Sequence, residues 1–571
     1  MKIQGKAVSE GIAVGRLYIY EQGAAEKESN EGEWDSQKER YLAACASVKE
    51  DLTALIEKIS QEGDERKGFG NIFEAHKAIV EDEAMNEEIL DLLDEDTDAV
   101  QAVSEVYDAY TLLLGKTKDP MIRERTADLE DVKNRLLRAM KGIASSGLSC
   151  LPEKAVVAAK DLLPSDTADM DREHIIGIIT EAGGTTSHSA IIARGYGIPS
   201  VSGIRMESLK QVENVIVDGK EGVVFTDPDR ELIQKYEEEG IRFKREKQRT
   251  EEYFRADAVT TDGLRVPVKL NIEGMSAEVK NYVKFTDGVG LFRTEFLYMG
   301  KSELPSEEEQ FQEYKRAVEA FDCKSVTVRT LDIGGDKKAE CLKMASENNP
   351  FLGNRALRLC LGRPEIFVTQ LKALLRAGCH GNLQVMFPMV SCVEDVRAAK
   401  HYWEKAIEEL KTEGKPFNAD IKLGVMIEIP AAALTAAEIA KEVDFASIGS
   451  NDLCQYTMAA DRMNPDVNSY YRTFHPAMFR MIQMVIEGFH HEGKPVSVCG
   501  EMGGDVRAAL ALTGMGIDAL SMSASNVAAV KRMLVSLNSK EAAEIARTVC
   551  HNSTEQQNLD LLEEYMRGYY D

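Results

Sequence analysis

Gly183-Gly184-Thr185-Thr186-Ser187-His188-Ser189-Ala190 sets a histidine directly behind two glycines. An apolar run at 176–179 leads in, and small residues on a helical pattern lead out at 190–193. The stretch reads as strand, glycine turn and helix, with His188 on the first helical turn. Backbone N–H groups at a helix start have no partner within the helix, and the helix dipole favours an anion there. Two glycines let the backbone approach such an anion closely. Imidazole nitrogen is a good nucleophile near neutral pH. A histidine so placed can receive a phosphoryl group and hold it. A histidine after a glycine pair is elsewhere a polar turn residue, so the reading depends on the rest of the chain.

A second set of polar side chains recurs in the C-terminal half, each at or just beyond the end of a short apolar run. Arg293, Arg329, Glu428 and Cys499 close such runs, Asn451-Asp452 follow one, and Asn354-Arg355 and Arg462 lie in the connections. Guanidinium groups match carboxylate and phosphate oxygens in pairs. Glu428 and Asp452 suit Mg²⁺, which takes oxygen ligands and is commonly shared with a substrate phosphate. Any one arginine at a strand end is more simply a structural ion pair, and a cysteine there is more simply a small buried residue. Several arginines with two carboxylates in one place point to a small substrate carrying phosphate and carboxylate, bound with Mg²⁺. Two anion centres in one chain then point to phosphoryl transfer between them.

The elements that must position these groups are legible as alternating blocks. Residues 1–20 have strand-like alternation around Gly5, Gly11 and Gly15. From 22 to 142 apolar residues recur at helical spacing, as in Leu52, Leu55, Ile56 and Ile59, or Val103, Val106, Tyr107 and Tyr110. Beyond 143 short β-rich runs return. The expected arrangement is one α/β domain, 1–21 with 143–228, carrying the helical bundle 22–142 as an insertion. The charged segment 229–258 reads as a linker helix. From 259 to 571, strand candidates fall at 266–272, 288–292, 326–330, 383–387, 423–427, 445–448, 496–499 and 519–522. Each is followed by a helical pattern. Eight such units predict a (β/α)8 barrel over an open doubly wound sheet, with chemistry at the C-terminal strand ends.

At 571 residues the chain is expected to hold several domains. With 44% hydrophobic and 29% charged residues it has the composition of a globular protein. A net charge of −27 repels nucleic acid and favours a partner with a basic face. No apolar run reaches membrane-spanning length and the N-terminus carries no signal core, so a cytoplasmic protein without direct membrane insertion is expected. Ten cysteines without a CxxC pair point to reduced thiols and not to a disulfide or zinc framework.

Longer motifs identify a resemblance. Ser9-Glu10-Gly11-Ile12-Ala13, the His188 loop, Gly290-Leu291-Phe292-Arg293-Thr294-Glu295-Phe296-Leu297, Val328-Arg329-Thr330-Leu331-Asp332-Ile333-Gly334-Gly335-Asp336-Lys337, Asn349-Pro350-Phe351-Leu352-Gly353-Asn354-Arg355, Gly424-Val425-Met426-Ile427-Glu428-Ile429-Pro430, Ser447-Ile448-Gly449-Ser450-Asn451-Asp452-Leu453 and Val498-Cys499-Gly500-Glu501-Met502 occur in one order along nearly the whole chain. In these the chain resembles enzyme I of the bacterial sugar phosphotransferase system, the phosphoenolpyruvate–protein phosphotransferases. The resemblance implies that His188 is the phosphohistidine, through Nε2, with the Thr167 hydroxyl beside it. It implies that Arg293, Arg329 and Arg355 hold phosphate, that Arg462 and Asn451 complete the phosphoenolpyruvate cradle, and that Glu428 and Asp452 hold Mg²⁺. Cys499 is then the acid that turns the enolate into pyruvate. The inserted helices resemble the docking surface for the phosphocarrier protein HPr, with Glu74-Ala75-His76 and the helix near 128–137 in the contact region. A homodimer through the barrel is also implied. Many family members carry arginine where this chain has Thr185, which removes a positive charge beside His188. The related dikinases and synthases need a nucleotide-binding domain, and no glycine-rich phosphate loop precedes His188 here. A non-catalytic relative would have no reason to keep all these groups.

Overall fold

The computed structural model describes residues 1–20, 36–61, 67–94, 97–115, 120–142, 148, 151, 153–162, 166, 170, 173–182, 188–335, 337, 339–345 and 347–570. The chain divides into two compact units, Met1–Lys247 and Gln248–Asp571.

The first unit is built on an eight-stranded mixed sheet. Its strands are β1 (Lys2–Gln4), β2 (Lys6–Ser9), β3 (Ile12–Tyr20), β4 (Ala155–Ala159), β5 (Ile175–Thr180), β6 (Ser200–Ser202), β7 (Asn214–Asp218) and β8 (Val223–Thr226), in the order β1-β8-β7-β3-β4-β5-β6-β2. The centre, β3 to β6, is parallel, and β7, β8, β1 and β2 add antiparallel strands. β4 is Ala-Val-Val-Ala-Ala, buried at every position. Such a strand has no polar face because the sheet is covered on both sides, as parallel sheets require. Among the described residues between β3 and β4 are five helices: α1 (Gln37–Gln61), α2 (Lys67–Val80), α3 (Glu83–Asp94), α4 (Ala99–Gly115) and α5 (Pro120–Met140). They close on a core of their own that includes Leu52, Phe73, Ile89, Val103 and Leu136. The apolar spacing read from the sequence is therefore the inward stripe of each helix. After β5 the helix α6 (His188–Tyr196) begins on His188 itself. α7 (Arg230–Glu252) occupies the charged segment.

The second unit is a closed barrel of eight parallel strands, β9 (Val268–Ile272), β10 (Gly288–Arg293), β11 (Ser325–Arg329), β12 (Leu383–Phe387), β13 (Lys422–Ile427), β14 (Phe445–Gly449), β15 (Val496–Cys499) and β16 (Ala519–Met522). They pair in sequence order, and β16 closes on β9. The fold class expected from the sequence is the one observed, with strand ends within two residues of the expected positions. Val268, Leu270 and Ile272 of β9 are buried in the main core, which also holds the helices' apolar faces. The alternate residues turn into the barrel. There Leu291, Met386, Met426, Phe445 and Cys499 pack together, and Ser521 donates to Asn271 Oδ1 at 2.6 Å. Gly424 keeps this interior filled: a Cβ there would stand 2.4 Å from the Phe445 ring. Among the described residues no helix is long and apolar enough to cross a membrane, and the nine described cysteines are all free thiols.

Candidate active site

A cavity of about 660 Å³ opens at the C-terminal ends of the barrel strands. Arg293 closes β10, Arg329 closes β11, Glu428 follows β13, Asn451 and Asp452 begin the helix after β14, and Cys499 closes β15. All six line the cavity, together with Arg462. Strand ends are rigid, so groups far apart in the sequence are held in one place.

Two buried carboxylates organise the cations. Glu295 is fully buried in the turn directly after β10. Its Oε1 accepts from Arg329 Nη2 at 2.5 Å and from Lys337 Nζ, while its Oε2 has no partner among the described residues. Asp332 is 1% exposed. It lies 2.9 Å from Arg329 Nη1, 2.8 Å from Arg355 Nη2 and 3.5 Å from Lys337 Nζ. Burial alone would raise its pKa, but Arg329, Arg355 and Lys337 together hold it well below the usual carboxylate range. Burial pulls Arg329 the other way, and Asp332 and Glu295 more than offset this, so the guanidinium stays charged in a dry setting. Glu428 has the opposite balance. Burial, then the nearby charges of Asp452 and Asp332, push its carboxyl up to about 8 against the pull of Arg329 and Arg355. Met389 N donates to Glu428 Oε1 at 2.6 Å. A Cβ on Gly449 would stand 2.7 Å from Glu428 Oε2, so glycine at the end of β14 makes the room for this carboxylate.

Arg355, expected among the substrate arginines, does not line the cavity. It is fully buried, with Nη1 3.2 Å from both Asp452 Oδ1 and the Tyr456 hydroxyl. Asp332 and Asp452 occupy the guanidinium that would otherwise face substrate, so its place is behind the site. Arg293 is more open, its side chain 36% exposed and 3.1 Å from Glu273. Arg462 Nη1 is 3.7 Å from Asp452 Oδ1, and its guanidinium lies 5.7 Å from the Phe351 ring centre. Asn451 Oδ1 accepts from Glu501 N at 3.2 Å, and the Tyr471 hydroxyl donates to Asn451 O at 3.1 Å.

His188 starts α6 in the other unit. Thr167 and the loop Gly183–Ser187, with Thr185, lie outside the described residues, as do the surroundings of the His188 side chain. Arg194 is exposed in the last turn of α6. One expected contact residue is corrected. His76 is fully buried, between Asp128 Oδ1 at 3.2 Å and Asp131 Oδ2 at 3.4 Å, so it cannot present its ring to a partner. Helical period puts His76 on the inward stripe with Phe73 and Val80, while Glu74 and Ala75 are exposed.

Sequence reasoning passed over Glu295, Asp332 and Lys337. The signal was present: each lies within eight residues of a named arginine in a quoted motif. Reading it required knowing that the turns after β10 and β11 fold back over the barrel.

The PEP-binding domain of PEP-utilising enzymes matches residues 247–539, the mobile domain of those enzymes matches 151–222, and their N-terminal domain matches 4–125. A phosphoenolpyruvate-protein phosphotransferase of Staphylococcus carnosus (strain TM300) is 40% identical over 574 residues, 99% of each chain. The chain belongs to the phosphoenolpyruvate-protein phosphotransferase family. A phosphoenolpyruvate-protein phosphotransferase of Listeria innocua is likewise 40% identical over 569 residues, 99% of each chain. A solution structure of an enzyme I protein is 33% identical over 42% of this chain and 99% of its own, with a TM-score of 0.35. As a member of this family the chain is an enzyme of phosphoenolpyruvate-dependent phosphoryl transfer.

Proposed function

We propose that this chain moves the phosphoryl group of phosphoenolpyruvate to its own His188, releases pyruvate, and passes the group to a histidine of the phosphocarrier protein HPr. This is the first step of a sugar phosphotransferase system. The observation that carries the reading is the single cavity in which Arg293, Arg329, Lys337 and Arg462 meet Glu428 and Asp452. Phosphoryl transfer spreads charge over the phosphoryl oxygens, so catalysis is mostly positioning and neutralisation. Arg329 and Lys337, fixed through Glu295, and the more open Arg293 take the phosphoryl oxygens. Arg462 takes the carboxylate end, and Asn451 orients the substrate. Arg355 acts from behind, as the partner that fixes Asp452.

Glu428 and Asp452 fit Mg²⁺. They are two buried carboxylates whose charges oppose one another at the cavity wall, and the room made by Gly449 lies against Glu428. Among the described residues no cluster of three or more His, Cys, Asp or Glu could hold a metal ion. Substrate oxygens and water would supply the other ligands, as Mg²⁺ commonly requires. When bound, the ion would supply charge neutralisation at the substrate oxygens.

Cys499 holds the proton that C3 of the enolate needs. Burial pushes its thiol up to about 11, so it is protonated at neutral pH. The exposed Glu74 and Ala75 on α2, with α5, belong to the proposed HPr surface, and the acidic chain suits a basic partner. A homodimer through the barrel and a cytoplasmic location accompany the reading. His188 must meet substrate on one unit and HPr on its own, and the segment 229–258 is where a swivel between these encounters belongs. Labelled phosphoenolpyruvate with Mg²⁺ should yield an acid-labile, base-stable phosphoramidate on His188 that chases onto HPr. Label persisting in His188→Ala would overturn the assignment.

A further inference from the structure

Cys499 lines the cavity yet is only 1% exposed, packed among Leu291, Met386, Met426 and Phe445. Its S–H donates to Ile448 O at 3.6 Å. If Cys499 gives up its proton, a thiolate is left in an apolar interior. Beside it, in the middle of β14, is Ser447. Parallel pairing sets Ser447 opposite Ser497 and Gly449 opposite Cys499, so the serine and the cysteine turn into the barrel diagonally from one another on adjacent strands. Ser447 is fully buried, and its hydroxyl makes no hydrogen bond of ordinary geometry to any described group. Buried hydroxyls almost always have a partner, and one without a partner is destabilising. An alanine would fill nearly the same volume without that penalty.

Within that diagonal pairing, the Ser447 hydroxyl is the largest influence opposing the effect of burial on the Cys499 thiol. The charged groups that act on the thiol are Arg329 and Arg293, which lower its pKa, and Glu428, which raises it. While the thiol is protonated and donating to Ile448 O, the sulfur is a weak acceptor and the serine has little to bond. A thiolate is a strong one.

We propose that Ser447 is a positioning residue whose hydroxyl donates to the Cys499 sulfur as that sulfur loses its proton to the enolate. In the step the enolate π pair forms the new C3–H bond, the S–H bond breaks, and its electron pair stays on sulfur. The serine keeps its own proton and turns it toward the thiolate, which is later reprotonated by water entering the cavity. The bond is made only as charge develops, so it lowers the barrier without tightening substrate binding. This inference rests on the reading of Cys499 as the acid.

The test uses the full chain with Ser447→Ala and, keeping the hydroxyl, Ser447→Thr, both checked for native circular dichroism and melting. The first measurement is exchange of pyruvate methyl protons with D₂O, followed by NMR, which isolates the Cys499 step. Ser447→Ala should slow exchange about tenfold or more, the size of a lost bond to a charged group. Label from phosphoenolpyruvate should still reach the protein in the first turnover, and KM should hold. Ser447→Thr should recover most of the exchange rate. The second measurement is the iodoacetamide alkylation rate of Cys499 at pH 8.5, read on its peptide by mass spectrometry. It should fall by a similar factor in Ser447→Ala, whatever the role of Cys499 in catalysis. Normal alkylation and exchange in folded Ser447→Ala would overturn the proposal, as would slowed alkylation with unchanged exchange. If Cys499→Ala exchanges normally, the reading of Cys499 fails instead, and slowed alkylation in Ser447→Ala still marks the hydroxyl–thiolate bond. If Ser447→Ala does not fold, Ser447→Thr decides: loss of exchange in a folded Thr variant overturns the proposal, and retention supports it.

Discussion

Replacing Asp332 by asparagine tests whether the cations of the barrel are organised from beneath. The change keeps the shape of the side chain and removes one charge. Asp332 is 1% exposed and lies 2.8 Å from Arg355 and 2.9 Å from Arg329, with Lys337 further out at 3.5 Å. Arg329 keeps Glu295 and Arg355 keeps Asp452, so neither guanidinium is left bare. Removing one partner of a buried ion pair costs about 3–5 kcal/mol, and the lower end applies where a second partner remains. The expected loss of about 3 kcal/mol corresponds to roughly a 150-fold change in an equilibrium constant. It should appear in urea unfolding of the second unit. The same change unbalances Asp452, because Arg355 then has one carboxylate where it had two. Turnover with phosphoenolpyruvate should fall about 10²-fold, the scale for loss of a positioned electrostatic group. Circular dichroism should be native in the absence of denaturant. Asp332→Asn with unchanged urea midpoint and unchanged kcat/KM would refute the view that this carboxylate sets the cradle.

Two further outcomes follow from charge and from the division into units. Glu428 has a folded pKa of about 8, above the ordinary glutamate value of about 4.3, so between these pH values the folded state holds a proton that the unfolded state has lost. Stability of metal-free protein should therefore fall as pH rises through that window, by about 1.4 kcal/mol per pH unit at most; Glu428→Gln should flatten the slope, Mg²⁺ should reduce it, and a flat urea titration of the unmodified chain would contradict the assignment. Residues 1–258 contain complete apolar clusters of their own, so this fragment should fold alone and exchange phosphate with phospho-HPr while ignoring phosphoenolpyruvate; direct labelling by phosphoenolpyruvate would remove the barrel from the mechanism.

The barrel was legible because its strands are short apolar runs separated by helical patterns, and several ends are marked by a residue that could do chemistry. Arg293, Arg329, Glu428 and Cys499 could be placed by that rule alone. Arg355 could not. It sits in a long connection, and only the folded chain shows that it turns under the site to meet Asp332 and Asp452. An arginine that binds substrate and one that holds another residue in place are the same letter at the same spacing. His76 failed for the same reason in reverse. Glu74-Ala75-His76 looks like one polar face when read in a line, but a helix turns about 100° per residue and puts neighbours on different sides.

This difference explains why the carboxylates missed by the sequence reading, Glu295 and Asp332, are the buried partners of Arg329 and Lys337. Substrate-facing cations can be guessed from the charge of the substrate. Their buried counterparts are fixed by a different need, which is to hold several positive charges together before any phosphate arrives. Glu295 and Asp332 satisfy that need for Arg329 and Lys337, and Glu295 Oε2 and Arg329 Nε have no hydrogen-bond partner among the described residues. A cradle made this way is charged and held in place by its own buried carboxylates. On the proposed function, incoming phosphoryl oxygens would meet groups already fixed in place, and little reorganisation would oppose transfer.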